Sequence, residues 1–143
     1  MPPVLVMICL SLMFLLSWRW PVVVFLRAPW NLLGLAPLLL GVASCGAGIR
    51  RIKKSRTTIH TFGQPSHLLT DGIFRFTRNP IYLGFATILT GAWLLLGTLS
   101  AAIPVLLFVI IADRWYIRFE EATLAKTFGQ EYEQYKSKTR RWI

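Results

Sequence analysis

Gly72-Ile-Phe-Arg-Phe-Thr-Arg-Asn-Pro-Ile-Tyr82 leads out of a basic stretch and into an uncharged run that lasts from residue 79 to residue 112. Arg78-Asn79-Pro80 reads as a charged residue, a helix N-cap and a proline at the first helical position. A membrane helix is therefore expected to start at Pro80, with its free N–H groups and Arg78 facing the aqueous boundary. Such an end attracts an anionic ligand group, and it is equally the pattern of a plain, well-made helix start. The run is too long for one span of roughly 20 residues. It fits a tight helical hairpin that turns at Gly97-Thr98-Leu99-Ser100, the weakest helix formers within it.

The rest of the composition agrees with a membrane class. The 143 residues are 55% hydrophobic, yet sixteen lysines and arginines face six acids, for a formal charge of +10; the mean hydropathy is +0.53. A soluble domain of this size seldom combines such apolarity with so few acids. Residues 28–49 carry no charge and suffice for one span. Val4 to Ser17 is apolar and ends in the interfacial residues Trp18-Arg19-Trp20. A secretory leader is the competing reading, but no positive region precedes the run and no small-residue cleavage site follows. A first span is expected, extending to Leu26 if Arg19 snorkels. The expected fold is all-α and integral to the membrane: about four transmembrane helices, a loop and a C-terminal amphipathic helix. It forms a single domain, 1–143, with an N-terminal hairpin over 1–49 and a second region over 50–143.

Arg50, Arg51, Lys53, Lys54, Arg56, Arg75 and Arg78 fall in the central loop. Arg114, Arg118, Lys126, Lys136, Lys138, Arg140 and Arg141 follow at or after the last span, and only Arg19 and Arg27 lie on the other side. The positive-inside rule then makes the loop, the tail and the N-terminus cytoplasmic. Charges that flank spans are explained by topology and anionic headgroups, so the expected partner is the lipid bilayer and not nucleic acid.

Between Ser55 and Thr77 the chain is polar and punctuated by turns at Gly63-Gln64-Pro65-Ser66 and Thr70-Asp71-Gly72. A connecting loop of that length tends to be functional or disordered. His67-Leu68-Leu69 can lie extended across a ligand and offer backbone groups. His60 and His67 have no Cys, Asp or Glu at ligand spacing, so no metal site is expected. Cys9 and Cys45 fall within spans and read as small core residues. The face from Gly91 to Gly97 suits close helix packing, within the chain or across an oligomer whose state the pattern leaves open.

After Asp113, where the last span is expected to end, come Glu120 and Glu121, a tandem pair in a chain poor in acids. They suit a cationic group held near the membrane plane, or a structural ion pair with Arg114 or Arg118. Leu124, Phe128, Tyr132 and Tyr135 recur as one apolar face of an amphipathic helix, with a break possible at Gly129. Taken together, a helix N-terminus with Arg78 suits a carboxylate, the paired acids suit an ammonium or sulfonium, and Phe74, Phe76 and Tyr82 supply aromatic faces. S-adenosylmethionine carries all three groups; a phosphate-bearing nucleotide also suits the first site.

Two motifs separated by the hairpin, Leu68-Leu69-Thr70-x-Gly72-x-Phe74-x-x-x-Arg78-Asn79-Pro80-x-Tyr82 and Glu120-Glu121-x-x-Leu124-x-x-x-Phe128-Gly129-x-x-Tyr132-x-x-Tyr135, resemble the isoprenylcysteine carboxyl methyltransferase and phospholipid methyltransferase superfamily. The resemblance covers roughly residues 66–140. It implies an integral membrane methyltransferase that binds S-adenosyl-L-methionine on its cytoplasmic side. By position, Ser66, His67, Leu68 and Leu69 would line the cofactor, partly through backbone groups. Phe74, Asn79, Pro80, Ile81 and Tyr82 would complete that wall, Glu120 would hold the amino group, and Arg78 and Glu121 would support it. Phe74 lacks the hydroxyl of the family's frequent tyrosine, and Asn79 cannot serve as a histidine-like base.

Methyl transfer needs alignment and exclusion of water but no nucleophilic side chain, in keeping with the lack of any Ser-His-Asp or Cys-His set. No catalytic residue is assigned. Arg114 or Arg118 could orient a carboxylate acceptor, and Glu121 or Asp113 a lipid amine, with a lipophilic acceptor entering between the third and fourth spans. Two rivals remain. One is an NADPH-dependent membrane reductase of the steroid-reductase type, disfavoured because Glu120 and Glu121 would repel a polyphosphate. The other is a non-catalytic four-span protein, which leaves the loop and the placed acids unexplained.

Overall fold

A computed structural model describes residues 1–55 and 66–143. Arg56, His60 and Gly63-Gln64-Pro65 lie outside the described residues. Helix α1, Pro2–Arg19, begins on a pair of prolines, whose missing N–H groups fall where a helix has no acceptor to offer them. It stops at Trp20, after the Trp18-Arg19-Trp20 belt, and the conditional extension to Leu26 is not helical. Pro21 disfavours helical backbone at the residue before it, and Val24 instead forms an isolated antiparallel bridge with Thr98.

A 3₁₀ turn at Trp30–Gly34 runs into α2, Leu35–Lys54. Helix α3, Pro80–Leu96, ends on Gly97 at φ 65°, so the hairpin turns where the weak helix formers are. A Cβ at Gly97 would lie 2.0 Å from the Leu26 carbonyl oxygen, which excludes other residues there. Helix α4, Ala102–Ile111, continues through a π-helical turn, Ala112–Ile117, into α5, Arg118–Phe128. Gly129, at φ 50°, breaks the chain before α6, Gln130–Lys138.

Pro2–Arg19, Trp30–Lys54 and Leu99–Phe128 are long and apolar enough to cross a membrane; Pro80–Leu96 is apolar but has 17 residues, about 25 Å at 1.5 Å per residue. The expected four crossings thus resolve into three full-length candidates and one short helix. The last helix runs on without a break past Asp113, where the span is expected to end. Its 30 residues make about 45 Å against a hydrocarbon core of about 30 Å. Asp113 therefore lies within the helix, where Arg141 and Trp142 of the C-terminal tail donate to it.

The apolar helices alternate in direction. Ser17 Oγ lies 2.6 Å from Thr98 Oγ1, and Asn31 Nδ2 donates to the Leu95 carbonyl at 3.0 Å, which gathers the end of α1, the start of α2 and the α3–α4 turn. The start of α1, the end of α2, the start of α3 and everything after α4 share the opposite end. Met13, Leu89, Phe108, Ala112 and Ile117 are fully buried between them.

Helices α2 and α3 meet along a glycine seam. A Cβ at Gly34 would stand 2.5 Å from the Gly91 oxygen, and one at Gly41 2.5 Å from the Gly84 oxygen. Gly91 therefore packs within the chain. The seven-residue spacing of Gly34, Gly41 and Gly48, which returns the same face every two turns, is the signal for this seam, and it is absent from the expectations above. Such contact of backbones fixes α3, and with it Pro80, against α2: Ser44 Oγ donates to the Pro80 carbonyl at 2.8 Å.

Candidate functional site

At the basic end of the bundle the start of α3, the flank of α5 and the C-terminal tail meet on one chain of charges. Arg78 donates from Nη2 to Glu121 Oε1 at 2.9 Å and from Nε to the same oxygen at 3.2 Å. Its Nη1 donates to the carbonyls of Lys136, at 3.2 Å, and Thr139. Arg141 donates from Nη2 to Glu121 Oε2 at 2.5 Å and from Nη1 to Asp113 Oδ1 at 3.2 Å. Trp142 Nε1 also donates to Asp113, at 2.9 Å. Two cations thus alternate with two anions, and the bond to Glu121 raises Arg141 above its ordinary pKa. Side chains of Arg78 and Glu121 are only 10% and 11% exposed, so each charge depends on its neighbour to offset desolvation.

The same tail closes over the start of α3 through its backbone. Arg78 N–H donates to the Arg140 carbonyl at 3.0 Å, Thr77 Oγ1 to the Arg141 carbonyl at 3.1 Å, and Asn79 Nδ2 to that carbonyl at 3.1 Å. Asn79 does occupy the N-cap position before Pro80, but its side chain makes no capping bond. The amide is turned instead to the tail, where it shares the Arg141 carbonyl with the Thr77 hydroxyl.

These contacts correct several expectations. Arg78 does not face open water with a free fork; Glu121 and the tail occupy it. Glu121 pairs with Arg78 and Arg141 rather than with Arg114 or Arg118, both of which are exposed. Asp113 and Glu121 are held by arginines and are not open to an amine. The tandem acids therefore diverge. Glu121 joins the charge chain, whereas Glu120 Oε1 accepts a hydrogen bond from the Tyr82 hydroxyl at 2.8 Å. Tyr82 is buried and stacks on Tyr116 with ring centroids 6.4 Å apart.

Other expected residues are more scattered. Pro80 is buried and Ile81 half-buried; Leu68 and Leu69 are half-buried, and Ser66 and His67 are exposed. Phe74 is half-buried and presents its carbonyl to the Tyr135 hydroxyl at 2.6 Å. Phe76 is 76% exposed and forms no aromatic wall with Tyr82. The apolar face expected from Leu124 to Tyr135 is divided at Gly129: Tyr132 and Tyr135 are buried, Leu124 and Phe128 only half so. Burial pushes the Tyr132 phenol up to about 12 and the Tyr135 phenol higher still. An open hollow of about 500 Å³ lies beside Tyr135, lined also by Thr70, Arg75, Glu131, Gln134, Lys138 and Thr139. At the loop's other end Asp71 is bridged by Arg51, whose Nε donates at 2.8 Å and holds the carboxyl below its usual range.

Thr77, Arg141 and Trp142 carry much of this architecture and were not singled out from sequence. Arg141 counts there only as one more basic residue, and no local pattern pairs it with acids 20 and 28 positions away. Among the described residues no group of three or more His, Cys, Asp and Glu could hold a metal ion.

Comparison with known proteins bears on this same region. The sequence model of the phospholipid methyltransferase family matches residues 30–131. The chain is 39% identical over 74 residues to the protein-S-isoprenylcysteine O-methyltransferase of Schizosaccharomyces pombe, covering 50% of this chain and 30% of that protein. It is 35% identical over 92 residues to methanethiol S-methyltransferase 1 of Bradyrhizobium diazoefficiens, covering 58% of this chain and 29% of that one. An uncharacterized protein of Haemophilus influenzae is 38% identical over 63 residues, its full length and 44% of this chain. The chain thus spans under a third of either named methyltransferase. No solved structure matches it. The matched segment contains both Arg78-Asn79-Pro80 and Glu120-Glu121, which the fold brings to one end, and the chain belongs to the phospholipid methyltransferase family.

Proposed function

We propose that this protein is an S-adenosylmethionine-dependent methyltransferase acting on a membrane-associated acceptor, the carboxylate of an isoprenylcysteine-like compound or a lipid. The observation that carries the reading is Glu120, set by the Tyr82 hydroxyl at 2.8 Å beside a neutralised charge chain. The donor set fits the cofactor: Glu120 offers a carboxylate to its ammonium, half-buried Leu68 and Leu69 offer an apolar wall, and the backbone of Ser66–Leu69 offers hydrogen bonds. When bound, the cofactor supplies a methyl group already activated by a sulfonium. The protein's own work is then to bind, orient and keep water out. Arg78 and Glu121 support that site by tying α3 to α5 and the tail.

Asn79 is not assigned a proton, since its amide serves the tail. Arg114 and Arg118 stand about 23 and 29 Å along the last helix from Leu99, at 1.5 Å per residue, near the far boundary of a core of about 30 Å. That depth suits them to orient the anionic head of a lipophilic acceptor arriving through the bilayer. The excess of basic residues at this end supports a cytoplasmic orientation for it and for both termini.

Calorimetric titration of the detergent-purified protein with S-adenosylhomocysteine and with NADPH tests the reading. Binding of the adenosyl ligand by the wild type, lost in Glu120→Gln, is expected. Binding of NADPH alone would move the protein to the reductases, and no binding of either by folded protein would make it non-catalytic.

A further inference from the structure

Tyr116 stands about one helical turn before Glu120 and shares its partner. The Tyr82 hydroxyl donates to Glu120 Oε1 at 2.8 Å, and the Tyr82 ring stacks on Tyr116 with centroids 6.4 Å apart and planes 25° from parallel. Residues four apart on a helix lie on one face, so Tyr116 and Glu120 meet Tyr82 from the same side of the last helix. Tyr82 is 5% exposed, whereas Tyr116 and Glu120 are only half-buried. Any large apolar side chain could cover Tyr82; the part of the Tyr116 ring left open is what needs an explanation. Its backbone is also unusual. Tyr116 lies in the π-helical turn Ala112–Ile117, a rare conformation that gathers at functional sites.

The spacing says which ligand group the ring suits. In S-adenosylmethionine four bonds separate the ammonium nitrogen from the sulfonium, about 5 Å when extended, which matches the helical pitch of about 5.4 Å. An ammonium held by Glu120 therefore puts the sulfonium within reach of the ring one turn back. An aromatic face attracts a cation, and the attraction grows where water is excluded. At 1.5 Å per residue Tyr116 stands about 26 Å along the helix from Leu99, inside a hydrocarbon core of about 30 Å. The neighbouring arginines do not compete for the ring. Arg114 and Arg118, two residues to either side, do not share its face of the helix and are exposed, while Arg78 and Arg141 are engaged by Glu121.

We infer that Tyr116 is a ligand-binding residue whose ring faces the sulfonium of S-adenosylmethionine. The assignment rests on the methyltransferase reading. Its test is Tyr116→Leu beside Tyr116→Phe, in detergent and without acceptor. The Kd of each is measured for S-adenosylmethionine and for S-adenosylhomocysteine, which lacks the methyl group and the charge. The readout is the ratio of the two constants, which a general loosening of the fold leaves unmoved. In Tyr116→Leu the preference for the charged ligand is expected to fall about three- to thirtyfold relative to the wild type. Tyr116→Phe keeps the ring and is expected to keep the preference. Tyr116→Met takes the place of the leucine variant if that one does not fold. A ratio that does not fall in the variant without a ring overturns the proposal, even where both ligands weaken together. A phenylalanine variant that falls as far as the leucine one also overturns it, by moving the contact to the hydroxyl. If the wild type binds neither ligand, the methyltransferase reading fails first, and this assignment goes with it.

Discussion

Arg141→Gln removes a guanidinium that serves two acids at once, and the structure ranks the two losses. Glu121 receives Arg141 at 2.5 and 3.3 Å and its side chain is 11% exposed. Asp113 receives it at 3.2 and 3.4 Å and is 26% exposed. Breaking a fully buried pair costs about 3–5 kcal/mol. Arg141 is itself 31% exposed, and Glu121 keeps Arg78, so the expected coupling falls to about 2 kcal/mol for Glu121 and about 1 kcal/mol for Asp113. The assay is reversible unfolding in mixed detergent micelles, with double-mutant cycles against Glu121→Gln and Asp113→Asn. Coupling to Glu121 below about 0.5 kcal/mol, or below that to Asp113, would refute the idea that the tail is fastened by a charge chain centred on Glu121.

Gly84→Ala places a Cβ 2.5 Å from Cys45 Sγ and 2.8 Å from the Gly41 oxygen, whereas Gly46→Ala meets nothing within 4 Å. The first is expected to lower stability by about 1–3 kcal/mol, and the second to leave it unchanged or raise it, as read from melting midpoints. Tyr82→Phe removes the 2.8 Å bond to Glu120 and is expected to weaken S-adenosylhomocysteine binding about three- to tenfold; an unaltered isotherm would show that Glu120 needs no such placement. In alkaline titration followed at 295 nm, Tyr132 and Tyr135 are expected to ionise late, because burial raises both phenols. A raised folded-state pKa means that their contribution to stability is full below the unfolded value near 10. For Tyr132 it is lost as pH climbs through about 12, so unfolding should accompany the late phase; ionisation of all four tyrosines near pH 10 in folded protein would contradict the burial.

Local chemistry was legible wherever neighbours in sequence decide conformation. Pro80 opens α3, Gly97 closes it and Gly129 breaks the last helix because proline and glycine act through their own backbone preferences. Uncharged runs of span length identify membrane helices because water and hydrocarbon price each residue by its own side chain. The motif around Arg78 and the tandem acids likewise marked the family, and the fold did bring both to one end. The end of α1 at Arg19 follows the apolar run and its Trp18-Arg19-Trp20 belt; the conditional extension to Leu26 is the reading the backbone does not take, because Pro21 and the bridge from Val24 to Thr98 divert it.

Which partner each charge takes is a different kind of question. From sequence alone Arg78, Arg114, Arg118 and Arg141 are equivalent cations near Glu121, and spacing along the chain favours Arg118. Only the packed helices decide that Arg78, 43 residues away, and Arg141, 20 residues away, reach the carboxylate, while Arg114 and Arg118 remain exposed. The division of Glu120 from Glu121, and the buried hydroxyl of Tyr132, depend on the same packing. Helix starts, turns and spans are thus set by short-range sterics and transfer energies written residue by residue. The site is set by the glycine seam that fixes α3, the long α4–α5 helix and the returning tail, because electrostatic and hydrogen-bond partners are chosen by distance in space.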